Sequence, residues 1–450
     1  MKKRLVRIFA VLLALLMLST CVVGCDNESN TNNPDDGEKV VLKIAFVKAG
    51  FGEEWLKAIC DAYTAEHPNV TFQLEGDPDM TVKIGTRLEA GANVPDIAMV
   101  LGSNWQQYAA KGYLADLSDL YASEMENGVT FHDKIVDANQ EVGRFNGKYY
   151  MVPWADVCNG FVYNKKLFAE NGWEVPETVD ELFTLMDEMK AKGVTPFAFG
   201  GKVISYWDFP VLAWWAQMEG QEGMAEFLAM ETPEVFQQQG RLKALEIFEQ
   251  IISDKSNYVE GAMGMDHTQS QMAFLQGKAA MIPMGAWMES EMRNSLPEDF
   301  EMGMMLAPAV EGAKMTNVSV CTSADFMFIP KKSKNIEVAK DFLKFMCRDD
   351  MLKLFTQHTG TPRPFKYDAA DVEGLSDFGK SVVETWQTAN KVYMYSDNPI
   401  YFMTYYYWPF AGAPYSRIQI GDETAQEAFY NDYSHAKTHW NEVREELGLS

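Results

Sequence analysis

The chain has 450 residues, of which 47% are hydrophobic and 13% aromatic, and its 64 acidic and 39 basic residues give a formal net charge of −25 at pH 7. So acidic a chain argues against nucleic acid or an anionic lipid surface as a binding partner, because both carry charge of the same sign. A chain this long exceeds one ordinary hydrophobic core, so two lobes are expected.

The first 24 residues have the features of a secretory signal peptide. Four basic residues precede a short apolar run, which is too short for a transmembrane helix. The motif VVGC that follows resembles a bacterial lipobox, in which cleavage after Gly24 leaves Cys25 as the lipid-modified N-terminus. Cys21 is the alternative candidate. Removal of residues 1–24 takes away four basic residues and no acidic ones, so the formal charge changes from −25 to −29.

The segment after the lipobox favours a tethered protein over a freely secreted one. Residues 25–39 are polar, carry no apolar anchor and have the composition of a flexible tether. A tether is useful when its start is fixed, so a lipid anchor at Cys25 on the extracellular face of a bacterial cell membrane is expected. An ordinary secreted protein without lipid is the alternative. No later window is apolar and long enough to span a bilayer.

The remaining cysteines do not form a metal-binding pattern. They are widely spaced and lack neighbouring His or Cys residues: Cys60, Cys158, Cys321 and Cys347. Buried free thiols are expected, and a disulfide stays open. No metal or other cofactor is expected, and none of the six scattered histidines is given a role.

Strands and helices alternate from residue 40 onwards. A strand at 40–50 is followed by a helix from about Glu53 to Tyr63, a second strand, a helix closed by Gly91 and the continuous buried strand VPDIAMVLG. This alternation predicts an α/β lobe with a binding site at the carboxyl ends of its strands. Glu53 is a candidate for that site, although complementation of the helix dipole explains it equally well.

A second strand–helix series begins near residue 160. The segment GFVYN predicts a strand, and KKLFAENG predicts a short helix that stops at Gly172. The next helix is predicted from its start, since Thr178 and Glu181 have the spacing of a capping box. Four apolar residues form its predicted buried stripe: Leu182, Leu185, Met186 and Met189.

Several of these segments together resemble the extracellular solute-binding proteins (family 1) of carbohydrate ABC transporters. The resemblance rests on VPDIAMV, on GKYYMVP with FVYNKKLF and a P-x-T-x-x-E-L helix, on FLQGKAAMIPMGAW, and on KKSKNIEVAKDFLKFM with TGTPRP. It covers nearly the whole mature chain, from about residue 40 to the C-terminus. It implies a type II periplasmic-binding-protein-like α/β fold, in which two lobes joined by a hinge close on a ligand in the cleft between them.

The resemblance also implies lobe boundaries and a function. Lobe one would comprise residues 40–153 plus 321–364, and lobe two residues 154–320 plus 365–450. The protein would be a monomeric receptor that binds a sugar or oligosaccharide without chemistry and delivers it to the membrane permease of an ABC importer. A sugar site needs aromatic platforms for the C–H faces and polar side chains for directional hydrogen bonds.

Trp287 is the foremost candidate for such a platform. The segment AAMIPM predicts a strand, Gly285 frees the backbone to turn, and Trp287 projects from the first turn of the following helix. In the resembling family the tryptophan of this G-x-W element usually stacks on the ligand, whereas a core tryptophan at the strand–helix junction is the alternative. Glu289 and Glu291 are expected to be solvated charges near the helix N-terminus.

Two further groups of candidates lie where a strand of lobe one ends. Ser103, Asn104 and Trp105 follow the VPDIAMV strand, in a loop that commonly contacts ligand in the resembling family. Asn104 as a helix N-cap is the alternative reading of that residue. Trp154 and Asp156 lie at the crossing into lobe two, and many relatives place the acidic residue one position later.

The remaining candidates belong to lobe two. Tyr206, Trp207 and Asp208 combine aromatic and polar groups before a helix that contains further tryptophans, of which at least one is expected in the core. Tyr405 and Trp408 lie upstream of a predicted C-terminal helix, at a distance comparable to that of a stacking tryptophan in relatives of the maltose-binding type.

Two other functions stay open at the level of sequence. The same fold with a non-sugar solute such as a polyamine would be favoured by cleft carboxylates and aromatic rings. A secreted carbohydrate-active enzyme would need two carboxylates roughly 5–9.5 Å apart that face one bond. No G-x-S-x-G or H-E-x-x-H motif is present in the sequence.

Overall fold

The computed structural model describes residues 37–48, 50–101, 105–155, 158–321, 325–394, 398, 400 and 413–446. Its strands are β1 Val40–Val47, β2 Val70–Asp77, β3 Ile97–Leu101, β4 Arg144–Phe145, β5 Lys148–Tyr149, β6 Val152–Ala155, β7 Asn159–Asn164, β8 Met281–Gly285, β9 Met302–Met305, β10 Val318–Cys321, β11 Asp325–Phe328 and β12 Asn390–Tyr393.

The helices of the first half are α1 Glu54–Glu66, α2 Met80–Ala90, α3 Trp105–Ala110, α4 Ser118–Ala122, α5 Phe131–Lys134, α6 Lys165–Asn171, α7 Val179–Ala191 and α8 Asp208–Ala229. Those of the second half are α9 Gln239–Ser253, α10 His267–Leu275, α11 Met288–Met292, α12 Ile336–Phe345, α13 Asp349–Thr359, α14 Asp377–Thr388, α15 Ala413–Gln419 and α16 Ala425–Glu446. Short 3₁₀ helices connect them, and the one at Gly201–Trp207 leads directly into α8.

A mixed sheet of five strands forms the centre of lobe one. Its order is β2-β1-β3-β11-β6; β1 runs parallel to β2 and β3, and β11 runs antiparallel to β3 and β6. Four of the five residues of β3 are buried, which matches the continuous apolar run that predicted a strand covered on both faces. Helices α1, α12 and α13 pack on this sheet through Ile59, Phe342 and Phe355.

A smaller antiparallel sheet, with the order β8-β7-β9, forms the centre of lobe two. Helices α7, α8, α9 and α16 contribute to one large core around it, which contains Phe161, Trp214 and Phe248. Strands β10 and β12 form a separate parallel pair, and Val320 and Val392 from this pair join the same core. The two-lobed α/β fold implied by the family resemblance is therefore confirmed.

Helix α7 shows how local sequence produces these elements. Thr178 accepts a hydrogen bond from the backbone N–H of Glu181 over 3.2 Å, and the Glu181 carboxylate accepts one from the backbone N–H of Thr178 over 3.2 Å. This capping box satisfies two backbone donors that the helix itself leaves free, and such a cap contributes about 1 kcal/mol. All four residues of the predicted stripe are buried, so the predicted helix and its buried face are confirmed.

Within the described residues, the chain changes from one lobe to the other between β6 and β7, between β10 and β11, and between α13 and α14, where residues 360–376 make the connection. In the third segment the fully buried Arg363 donates from Nε to the carbonyl oxygen of Trp154 over 2.7 Å and from Nη1 to that of Met346 over 2.6 Å. Because β6 pairs with β11 up to Ala155, the sheet of lobe one includes Trp154, just beyond the predicted boundary at residue 153.

Candidate functional site

A cavity of about 450 Å³ lies between the lobes, within the range of about 300–1,000 Å³ that is usual for small-molecule sites. Lobe one lines it with residues from the ends of β1 and β3, the loop before α1, α1 itself and β6: Phe46, Val47, Gly50, Phe51, Gly52, Trp55, Met99, Leu101 and Trp154. Lobe two lines it with Asn159, Ser205, Tyr206, Asp208, Phe209, His267, Trp287 and Glu291. The predicted position at the carboxyl ends of lobe-one strands agrees with this cavity.

The lobe-one wall is built from stacked aromatic rings. Trp55 stacks on Trp154 with ring centroids 5.3 Å apart and planes 16° from parallel, and Phe51 meets Trp154 edge-on at 5.8 Å. Among the described lining residues of lobe one, none has a charged side chain. Trp55 and Trp154 are only 2% and 6% exposed, so this wall offers a ligand an apolar surface of limited area, which suits its C–H groups.

Trp287 stands where both lobes meet at the cavity. Its indole ring meets Phe209 edge-on at 5.4 Å and Tyr206 at 6.2 Å, and both rings belong to lobe two. On the other side, a Cβ atom placed on Gly50 of lobe one would lie 3.1 Å from the Trp287 Cβ. The ring is only partly buried and lines the cavity, so part of its surface is open to a ligand.

Gly285 acts differently from the prediction. It is the last residue of β8 and has no positive φ, so the turn does not require glycine for its backbone conformation. A Cβ atom at this position would lie 2.0 Å from the Trp287 ring. Glycine is needed here because the indole lies directly against the backbone. Gly285 thus shapes the site through Trp287 and does not itself line the cavity.

Tyr206 and Asp208, both predicted to contact ligand, line the cavity. They lie at the junction of the 3₁₀ helix Gly201–Trp207 with α8. Burial raises the pKa of Asp208 to about 7, while a hydrogen bond with Tyr415 acts in the opposite direction. Burial and the charge of Glu291 raise the pKa of Tyr206. Both groups therefore hold a proton more tightly than in water, and Tyr206 stays a neutral hydroxyl.

Glu291 forms the centre of a polar cluster in the lobe-two wall. Its Oε2 accepts a hydrogen bond from Gln271 Nε2 over 2.6 Å, and its Oε1 lies 3.1 Å from His267 Nε2. The His267 ring lies nearly parallel to the Tyr206 ring, at a centroid distance of 6.1 Å. The expectation that Glu291 is a solvated charge at a helix N-terminus is wrong, because partners from α10 hold it at the cavity.

Two predicted tryptophans are core residues and do not reach the cavity. Trp207 is fully buried, and the rings of Phe197 and Phe248 each lie 5.4 Å from its own. Successive side chains of a 3₁₀ helix point about 120° apart, so its neighbours at 206 and 208 face the cavity while Trp207 faces the core. Trp105 is also fully buried, between Phe145 and Phe326. For both residues the structure corrects the prediction of a ligand contact.

Glu53 lies near the cavity entrance and does not line the cavity. Its carboxylate pairs with Lys57 and with Lys48, the latter over 3.2 Å. The hydrogen bonds from Lys57 and Lys48 lower the pKa of Glu53. The side chain precedes α1 but makes no capping hydrogen bond to it. Ion pairs with the two lysines therefore account for the position of the Glu53 carboxylate better than a ligand contact does.

The other candidates lie outside the described residues: Ser103, Asn104, Asp156, Tyr405, Trp408 and the lipidation site Cys25. Conversely, most of the residues that line the cavity were not selected from the sequence, among them Phe51, Trp55, Phe209, His267 and Glu291. Of these, Glu291 could have been selected from the sequence, because it lies four residues after Trp287 and therefore on the same helical face.

Three observations bear on cofactors and on the membrane. Within the described parts of the chain, no group of three His, Cys, Asp or Glu side chains is placed to hold a metal ion. Cys60 and Cys347 are buried free thiols, as expected, and Cys158 is also buried. Among the helices that the structure describes, none has both the length and the apolar composition to cross a membrane.

Comparison with known proteins identifies a family for the greater part of the chain. The family model described as "Bacterial extracellular solute-binding protein" matches residues 49–351, well over half of the 450 residues. The matched region includes all the residues that line the cavity except Phe46 and Val47.

Individual relatives extend this similarity. The chain is 26% identical over 361 residues to a multiple sugar-binding protein of Streptococcus mutans, covering 78% of this chain and 81% of that protein. It is 25% identical over 343 residues to the diacetylchitobiose binding protein NgcE of Streptomyces coelicolor, covering 74% of this chain and 72% of that protein. A solved structure from work on xylan utilization by Caldanaerobius polysaccharolyticus shares the fold, with a TM-score of 0.71 at 19% identity over 88% of this chain and all of that one.

Proposed function

The chain belongs to the bacterial extracellular solute-binding protein family, and from this membership we propose that it is the substrate-binding component of an ABC importer, with a sugar or oligosaccharide as its ligand. The protein holds its ligand and performs no reaction on it. Two relatives that it matches over most of their length are named for binding sugars.

The observation that carries the proposal is that the lobe-one wall of the cavity is apolar, whereas the lobe-two wall also carries polar groups. Trp287 from lobe two supplies a partly exposed aromatic ring, and the buried Trp55 and Trp154 support an apolar wall in lobe one. Asp208 and Glu291 from lobe two supply hydrogen-bonding groups. A sugar ring has the matching chemistry, since its C–H faces are apolar and its hydroxyl groups lie around its edge. Such a ligand buries its faces against the rings and pairs its hydroxyl groups with the polar wall.

Closure of the lobes completes the proposed cycle. A ligand that touches both walls binds the closed form more tightly than the open form, and this difference in affinity shifts the population towards closure. The closed form then docks on a membrane permease. The chain reaches that permease from a lipid anchor at Cys25 on the extracellular face of the cell membrane, through the tether of residues 25–39.

The anchor is tested by fractionating a bacterial host that expresses the full chain. The wild type is expected in the membrane fraction, labelled by radioactive palmitate, whereas Cys25→Ser releases the protein or leaves it unprocessed. Cys21→Ser is the matched control and should remain anchored. If Cys25→Ser stays in the membrane fraction with its label while Cys21→Ser is released, the lipid is at Cys21 and not at Cys25.

Ligand binding is tested with a thermal-shift panel followed by calorimetry. The panel contains galactose, raffinose, diacetylchitobiose, xylotriose and arabinotriose, with spermidine as a non-sugar. A ligand at 100 times its Kd stabilises the folded state by roughly 2.7 kcal/mol, which raises the melting temperature measurably. At least one sugar should bind and be recovered unchanged after incubation. Cleavage of a bound sugar would overturn the receptor function.

A polyamine is the second candidate ligand. Asp208 and Glu291 place two acidic groups in an aromatic-lined cavity, and a polyamine ammonium group is attracted both by carboxylates and by the faces of aromatic rings. Binding of spermidine with no response to the sugars would favour this candidate. The reverse result is expected, because the partly exposed indole of Trp287 suits a ring better than a flexible aliphatic chain.

A further inference from the structure

We infer that Glu291 determines which sugars this protein accepts: it receives hydrogen bonds from hydroxyl groups of a neutral sugar ring stacked on Trp287, and it excludes sugars that carry a carboxylate. This assignment rests on the proposed function and adds to it a residue and a ligand class. His267 and Gln271 act as positioning residues for Glu291.

The Glu291 carboxylate is held in one orientation by two donors from a neighbouring helix. His267 and Gln271 lie four residues apart on α10, so both face the same side of that helix. Gln271 is fully buried. The start of α10 is itself fixed by a capping box between Asp266 and Gln269. A carboxylate held from two sides presents its free lone pairs in a defined direction, which selectivity requires.

Glu291 retains capacity for a ligand. Each carboxylate oxygen accepts about two hydrogen bonds, and Oε1 and Oε2 have one partner each, His267 and Gln271. The side chain keeps 23% of its surface exposed, and this residue lines the cavity. Two acceptor positions on adjacent oxygens suit two neighbouring hydroxyl groups of one ring.

The platform and the acceptor belong to one helical turn. The backbone N–H of Glu291 donates to the carbonyl oxygen of Trp287 over 2.9 Å, which is the hydrogen bond of an α-helical turn. Side chains at this spacing lie on the same face. A ring stacked on the Trp287 indole therefore directs hydroxyl groups on its edge towards Glu291.

The same arrangement repels acidic sugars. The described lining residues include two acids, Asp208 and Glu291, and neither Lys nor Arg. The charge of Glu291 also contributes to the raised pKa of Tyr206 in the same wall, so this wall is electronegative. A uronic acid would bring another negative charge to it without a cation to compensate, and such repulsion is an effective way to reject a wrong ligand.

The test measures two ligand pairs by calorimetry: galactose with galacturonate, and xylotriose with its glucuronic-acid-substituted form. Glu291→Gln removes the charge, and Glu291→Asp keeps the charge but withdraws it by one methylene group. Glu289→Gln is the matched control, since Glu289 lies on the same helix, bonds to Ser376 and does not line the cavity. Thermal melting establishes that each variant is folded.

The wild type should bind one of the two neutral sugars and reject its acidic partner. Glu291→Gln should weaken binding of the neutral sugar at least tenfold and reduce the ratio of its affinity to that of the acidic sugar. Glu291→Asp should also weaken binding but leave this ratio unchanged. Glu289→Gln should match the wild type. Unchanged affinity in folded Glu291→Gln would overturn the assignment of Glu291 alone. Failure of the wild type to bind any sugar of this set or of the wider panel would overturn the proposed function itself.

Discussion

Ser290 of lobe two donates a hydrogen bond from Oγ to the carbonyl oxygen of Gly50 in lobe one, over a distance of 2.6 Å. A second contact follows on the same side of the cleft, where Arg293 Nη2 donates to the carbonyl oxygen of His358 over 2.9 Å. Ser290 lies within α11 and Arg293 directly follows it; this helix also carries Glu291 and begins directly after Trp287. The element that presents the proposed ligand contacts therefore also holds the lobes together.

Removing these two donors should open the cleft. For Ser290→Ala combined with Arg293→Ala we expect a larger radius of gyration by small-angle X-ray scattering without ligand. Sugar affinity should fall by roughly tenfold, because each lost hydrogen bond is worth about 0.5–1.5 kcal/mol. Ser295→Ala, an exposed serine just after α11, is the control. An unchanged radius together with unchanged affinity would show that these contacts do not stabilise closure.

Trp287 and Trp207 should respond in opposite ways to replacement by alanine. Trp287→Ala is expected to stay folded and to lose sugar binding at least tenfold, about 1.4 kcal/mol, since the indole is a partly exposed platform. Trp207→Ala should lower the free energy of unfolding by about 3–5 kcal/mol, because it leaves a large hole in a packed core. Urea denaturation and calorimetry on both variants separate the two effects. Loss of stability in Trp287→Ala with unchanged affinity would place this tryptophan among the core residues.

Gly285→Ala should disturb the site without removing any side chain that lines it. The added methyl group would lie 2.0 Å from the Trp287 ring and must displace it, so sugar affinity falls severalfold or more. A shift in tryptophan fluorescence should accompany this change. Gly264→Ala is the matched control, because an added Cβ there meets nothing within 4 Å and the residue has no positive φ. Equal binding by the two variants would contradict the role given to Gly285.

The parts of the fold that the sequence predicted well are those set by neighbours along the chain. The capping box of Thr178 and Glu181, the helix ends at Gly91 and Gly172, and the strand–turn–helix around Trp287 all depend on residues within a few positions of one another. Short-range geometry of this kind has few alternatives, so residue type and spacing predict it.

The predictions of site residues failed where the orientation of a side chain, or a partner distant in the sequence, determines whether the residue reaches the cavity. Whether Trp207 or its neighbours face the cavity depends on the rotation of one short 3₁₀ helix, which packing sets and residue type does not. Glu291 was taken for a solvated charge because its partners Gln271 and His267 lie 20 and 24 residues away in sequence. Trp154 stacks on Trp55 only because β6 enters the sheet of lobe one.

Asp208 should make stability depend on pH in a direction opposite to that of most acidic residues. Burial raises the pKa of Asp208 from an ordinary 3.8 to about 7, so between these values the folded protein holds a proton that the unfolded chain releases. The stability that protonated Asp208 contributes is fully present below about pH 4 and is lost as the pH rises towards 7. Asp208→Asn removes this titration. The stability of the wild type relative to Asp208→Asn should therefore fall between pH 5 and 8, by on the order of a few kcal/mol at most.

Urea denaturation of both proteins at pH 5, 6, 7 and 8 measures this difference. Asp299→Asn is the control, since the hydrogen bond with Lys166 lowers the pKa of Asp299. The contribution of that exposed pair to stability is present above about pH 4 and is lost only on acidification. The difference in unfolding free energy between Asp299→Asn and the wild type should therefore stay constant from pH 5 to 8. A constant difference for Asp208→Asn over the same range would mean that the Asp208 carboxyl group ionises in the cavity as readily as in water.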